Sequence, residues 1–136
     1  MLFAIAACGS GAATGPQASL AAARNRWVQS APASYSMVLS VSCECLPGTG
    51  DPARITVRNG VVESRRYVAT GADVPPERAS GYRTVPELFE MIDEAERQGV
   101  TPIDVQYSPL GYPTRIALGD PAVDAPVTFI TDFHPL

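Results

Sequence analysis

Hydrophobic and polar positions alternate most cleanly over residues 34–46, SYSMVLSVSCECL. Tyr35, Met37, Leu39, Val41, Cys43 and Cys45 fall on one side of an extended chain, and Ser36, Ser40, Ser42 and Glu44 on the other, with only Val38 out of place. A period of two with one apolar side describes a strand that buries one face and wets the other. The same alternation recurs over 53–58, 61–69, 103–107 and 114–118, and 127–133 reads as a final strand. Asn59-Gly60 separates two of these runs, and both residues tolerate the positive φ of a type I′ hairpin turn. The pairing this implies places Ile55, Val57, Val62 and Ser64 toward the core. It sends Arg54, Thr56, Arg58, Val61, Glu63 and Arg65 to water, and leaves Arg66 facing inward with a bulge or strand end near it.

Two stretches follow the helical period instead. Residues 20–29 bring Leu20, Ala23, Trp27 and Val28 to one side, predicting a short helix docked through Trp27 and ended by Ser30-Ala31-Pro32. Thr84-Val85-Pro86-Glu87 is a capping-box pattern; Val85, Leu88, Phe89, Ile92 and Ala95 then recur at three and four, and Gly99 stops the helix. Its acidic residues Glu90, Asp93, Glu94 and Glu96 read as a solvated face. Residues 70–83 form a long irregular loop, of a length that is usually functional or mobile. The expected fold is α+β in the order αβββ-αβββ. Because every strand alternates, a mostly antiparallel sheet of about six strands should carry both helices on one face.

At 136 residues the chain has room for one ordinary domain, assigned to 20–136. A net charge of −4 argues against a nucleic-acid partner, which calls for a basic footprint. The ten basic residues are all arginine, a bias that reads as coding composition rather than ten selected contacts. Ile5-Ala6-Ala7-Cys8 has the form of a bacterial lipobox, with small residues at the scissile bond and a cysteine to be lipidated. Residues 1–8 are shorter than a secretory signal and lack its charged start, so they read as a truncated one. The alternative is a disordered tail with a free cysteine. Residues 9–19, GSGAATGPQAS, have the composition of a flexible tether. The expectation is an exported protein of the bacterial cell envelope, anchored by lipid on Cys8.

Several of these landmarks occur together in one known family. Trp27, the Tyr35 strand ending in Cys43-x-Cys45, Val57-Arg58-Asn59-Gly60, Thr84-Val85-Pro86-Glu87-Leu88-Phe89 and the run from Val105 to Ile116, VQYSPLGYPTRI, span most of the mature chain. In these the chain resembles an uncharacterised family of bacterial exported lipoprotein domains, domain of unknown function 6174. The family's last motif typically has Asp after its tyrosine, where this chain has Ser108. The resemblance implies export and a continuous fold, and it brings no activity.

Chemistry is sparse. Residues two apart on a strand are about 6.6 Å apart at Cα, the edge of disulfide geometry, so a Cys43–Cys45 bond needs a bend at Glu44. Its three-residue loop would contribute only about 1.6 kcal/mol in the chain-entropy model. Outside the cytoplasm two nearby thiols tend to oxidise, which favours the bond; a reduced buried pair and a redox-active pair are the alternatives. Two cysteines and the distant His134 do not make a metal site, and no cofactor is expected. His134 reads as an exposed bystander, and Asp120 to Asp124 as a turn. Tyr107, Leu110 and Tyr112 mark either aromatic capping of the sheet or a binding spot. With no catalytic set, the expectation is a monomeric, non-catalytic binding or scaffolding module. It would meet an envelope protein or polysaccharide through Arg54, Arg58 and Arg65 beside Ser36, Ser40, Ser42 and Thr56. The rival is a thiol-disulfide redox protein using Cys43 and Cys45.

Overall fold

The computed structural model describes residues 15–43, 46–123 and 125–136. The strands are β1 (Tyr35–Ser42), β2 (Ala53–Arg58), β3 (Val61–Tyr67), β4 (Ile103–Tyr107), β5 (Pro113–Leu118) and β6 (Val127–Pro135). The helices are α1 (Pro16–Ser30), the single turn α2 (Pro76–Ala79) and α3 (Val85–Arg97). All six strands join one antiparallel sheet in the order β3-β2-β1-β6-β5-β4. Each half of the chain is therefore a meander, and the halves meet where the first strand pairs with the last. The segment containing α3 carries the chain from one edge of the sheet to the other.

Both long helices cover the same face, as the alternation predicts. Tyr35, Met37, Leu39, Ala53, Ile55, Val57, Ile116 and Ile130 form one buried cluster with Leu20, Ala23 and Trp27 of α1 and Val85, Leu88, Phe89 and Ile92 of α3. Burying each of the Val, Leu, Ile, Met and Phe side chains among them is worth about 1.5–3 kcal/mol. Trp27 stands edge-on to Tyr35, Tyr112 and Phe133, with ring centroids 5.5, 6.2 and 5.9 Å away. Tyr112 stacks on Phe133 at 4.2 Å, so this turn aromatic belongs to the core packing. Gly111 makes that packing possible: at φ 100°, a Cβ there would lie 2.2 Å from the Ala23 carbonyl oxygen and 2.8 Å from the Trp27 nitrogen.

Helix α1 begins at Pro16, so residues 16–19, assigned to the tether, are helical. Proline suits the first turn because its missing N–H has no partner there in any case. Val28 is exposed, since the docked stripe runs through Leu20, Ala23 and Trp27 and leaves the neighbouring position outside. The capping box forms as the sequence predicts: Glu87 Oε1 accepts from the Thr84 backbone N–H at 3.3 Å and its hydroxyl at 2.9 Å.

The hairpin pairing differs from the regular register. Val57 faces Val62, but Thr56 faces Ser64, so Glu63 is an extra residue in β3. One inserted residue moves everything beyond it to the opposite face. Arg65 now pairs with Ile55 on the helix side, and Arg66, expected inward, is exposed and paired with Asp73 at 3.3 Å. A second bulge, at Asp132 with φ 49°, brings Phe133 into the aromatic core. No helix among the described residues is long and apolar enough to cross a membrane.

Candidate functional site

The strand pairing sets Ser36, Val38, Ser40 and Ser42 of β1 on the outer face, beside Arg54, Thr56 and Arg58 of β2. Across β1 lie Val127, Phe129, Thr131 and His134 of β6. Hydroxyls and ion pairs share this surface. Arg54 donates through Nη1 to Ser36 Oγ at 2.9 Å and pairs through Nη2 with Asp132. The Asp132 bulge turns its carboxylate toward β2, and its other oxygen lies 2.6 Å from His134 Nε2. Hydrogen bonds from Arg54 and then from His134 hold the Asp132 carboxyl below the usual carboxylate range. Arg58 pairs with Glu63, and Arg115 with Asp104 at 3.2 Å. The surface is thus rich in charge yet locally neutral.

Arg65 does not belong to it. Its Nε donates to the Tyr82 carbonyl at 2.7 Å, its Nη2 lies 4.0 Å from Glu87 Oε1, and its side chain is 22% exposed. It ties β3 to the start of α3. The proposed arginine triplet is therefore split by the sheet: Arg54 and Arg58 outside, Arg65 under the helix cap. Periodicity missed the Ser36–Arg54–Asp132–His134 cluster, because the bulge at Asp132 has no counterpart in the hydrophobic pattern.

The second feature is the loop after β1. Cys43 is disulfide-bonded, and its partner sulfur lies outside the described residues. Cys8, Glu44 and Cys45 also lie outside them, so the lipid site and the Cys43–Cys45 pairing rest on the sequence. The segment that follows is held on all sides. Val41 N–H donates to the Gly50 carbonyl at 3.0 Å and Gly48 N–H to Asp51 Oδ2 at 2.9 Å. Arg78 Nη1 donates to the Pro47 carbonyl at 3.0 Å, Tyr82 Oη to the Asp51 carbonyl at 2.7 Å, and Tyr67 Oη to the Gly48 carbonyl. Tyr82 is fully buried, and burial above all, then the charges of Tyr67 and Asp51, pushes its phenol up to about 12. The 70–83 segment is therefore a strap for the Cys43 loop. In the sequence this segment reads only as an irregular loop, with Tyr82 near Ala72, Val74 and Ala79 and no repeating period.

At the mouth of this loop Ser40, Ser42, Phe129, Cys43, Leu46 and Pro52 line a groove of about 320 Å³ that continues the outer face. Gly50 also lines it, and a Cβ there would lie 2.5 Å from the Val41 carbonyl oxygen and 3.2 Å from Cys43 Sγ. Asp120 accepts the Ala122 N–H at 2.8 Å, as a turn residue does; Asp124 lies outside the described residues. Among the described residues no group of three or more His, Cys, Asp or Glu side chains is placed to hold a metal ion.

Residues 19–134 match the family of unknown function DUF6174, and the chain belongs to that family. No curated protein and no solved structure matches the chain.

Proposed function

Starting from membership of a family with no assigned activity, we propose that this chain is an exported, lipid-anchored envelope protein whose domain acts by binding rather than by catalysis. The observation that carries the reading is the asymmetry of the sheet. One face is sealed by α1 and α3, while the other presents hydroxyls and locally neutralised arginines around a groove. A surface whose charges are already paired meets a neutral polar polymer without leaving a charge unpaired on either side, which favours an envelope polysaccharide. The lipobox Ile5-Ala6-Ala7-Cys8 supports the anchor. Stable attachment takes more than one acyl chain, and the lipobox route supplies them.

Two experiments test this. Mass spectrometry of the protein expressed from its native gene should find Cys8 acylated; a free thiol in the exported protein rejects the anchor. Co-sedimentation with purified envelope polysaccharide should retain the wild type and lose an Arg54→Glu, Arg58→Glu double variant. Equal retention of both rejects the outer face.

A Cys-x-Cys redox role is the second reading: Cys43 lines the groove, which gives its sulfur the access that exchange needs, while three side chains fix the loop that follows it. Titration against glutathione should give a potential below about −300 mV, the range of structural disulfides; a value near −200 mV would restore the redox reading.

A further inference from the structure

The two edges of the sheet are finished differently. Along β3, Val74 N–H donates to the Arg65 carbonyl and Tyr67 N–H to the Ala72 carbonyl, each at 2.9 Å, so residues 72–74 close that edge. The edge at β4 has no such cover among the described residues. Gly119 N–H donates to the Pro102 carbonyl and Ser108 N–H to the Tyr112 carbonyl, both at 2.8 Å. Counting from these, the backbone groups of Asp104 and Gln106 face β5, while those of Ile103, Val105 and Tyr107 face away from the sheet. The register slip in this hairpin leaves the extra residue, Thr114, on β5, so β4 itself is regular. A regular edge without Lys, proline or bulge within it is a template for another strand.

We propose that β4 pairs antiparallel with β4 of a second copy, about a two-fold axis that passes between the two Val105 residues. The sequence fits its own reverse. That register sets Val105 opposite Val105 of the second copy, Ile103 opposite Tyr107, and Asp104 opposite Gln106, so no like charges face each other across the seam. On the helix side, a groove of about 220 Å³ runs along the edge between Ser19 and Ile103, Val105 and Tyr107, giving the incoming apolar side chains a place. The two-fold keeps the helices of both copies on one face; Ser19 is the helix side chain that lines the groove, and Arg26 and Glu96 lie within electrostatic reach of Tyr107. Such a dimer departs from the monomer expected from the sequence. A five-residue seam makes a small interface of the weak, transient class. Confinement of both copies to one membrane would raise their effective concentration.

Sedimentation equilibrium of the full chain from micromolar to millimolar concentration should show a reversible rise toward twice 14.4 kDa. Val105→Pro removes an N–H that points away from β5, so it should abolish dimerisation while β4–β5 pairing persists. Gln106→Asp sets a carboxylate opposite Asp104 of the second copy and should weaken the dimer at least tenfold, less so in high salt. The second variant decides if the first fails to fold. Amide exchange at Ile103, Val105 and Tyr107 should slow as concentration rises. A wild type monomeric throughout overturns the proposal, as does a dimer indifferent to Gln106→Asp. Protection of these amides that is independent of concentration also overturns it, because the edge would then be covered by another segment of the same chain.

Discussion

Arg54 and Arg65 lie on strands that neighbour each other, eleven residues apart in sequence, yet they sit on opposite faces and do different work. Arg65 is enclosed, donates to a main-chain carbonyl and holds β3 against the start of α3. Arg54 is partly open to water and balanced by Asp132, whose carboxylate also meets His134. The inner face is a place where removing one group leaves others buried and unsatisfied. On the outer face solvent replaces what is lost. Fold and stability therefore belong to one side of the sheet, which leaves the other free to carry recognition.

The sharpest test of this difference is a pair of phenylalanines. Phe89→Ala on the inner side should cost about 3–5 kcal/mol in urea unfolding, as expected for a fully buried ring. Phe129→Ala, half-buried on the outer face, should cost less than half as much; equal losses would erase the distinction. Next, Tyr82→Phe should cost about 1–3 kcal/mol, because the Asp51 carbonyl loses its buried donor. Hydrogen exchange at Val41 and Thr49 should accelerate in the same variant. Third, Arg65→Ala should cost about 1.5–3 kcal/mol for a charged donor to a half-buried carbonyl, against about 0–1 kcal/mol for Arg54→Ala at its solvated pair. The smallest effect is electrostatic. The Asp132 carboxyl is lowered in the folded protein, chiefly by Arg54. Its contribution is complete above the ordinary carboxylate value of about 4 and is lost as pH falls through the folded value. An NMR titration of Asp132 should show the lowered midpoint, and Arg54→Gln should move it up toward the ordinary value.

Much of this architecture was legible in the order of residues. Alternation located the strands, and Thr84-Val85-Pro86-Glu87 fixed the start of α3, because both signals are local and repeat over several residues. What escaped was the position of single-residue irregularities: the inward-facing Arg66 called for a bulge or strand end near it without saying where. In Val61-Val62-Glu63-Ser64-Arg65-Arg66, nothing in the composition says that Glu63 is the extra residue, and that one slip exchanges the faces of Arg65 and Arg66. The Asp132 bulge escaped for the same reason, and with it the cluster of Arg54, Asp132 and His134. Gly111 lies between β4 and β5, and its contact with the backbone of α1 depends on where that turn docks, which no local pattern encodes. Tyr82 was hidden because a strap made of loop has no period; only its hydrogen bonds to the Asp51 and Gly48 carbonyls reveal it.

The division of labour between the two faces is tested most directly by nitrogen-15 chemical-shift mapping of the labelled domain during titration with soluble envelope polysaccharide fragments. Saturable shifts should be confined to the outer face, at Arg54, Thr56, Phe129, Thr131 and His134, with Arg65, Leu88 and Met91 unmoved. Shifts centred on α3 and Arg65, or none up to millimolar fragment, would contradict it.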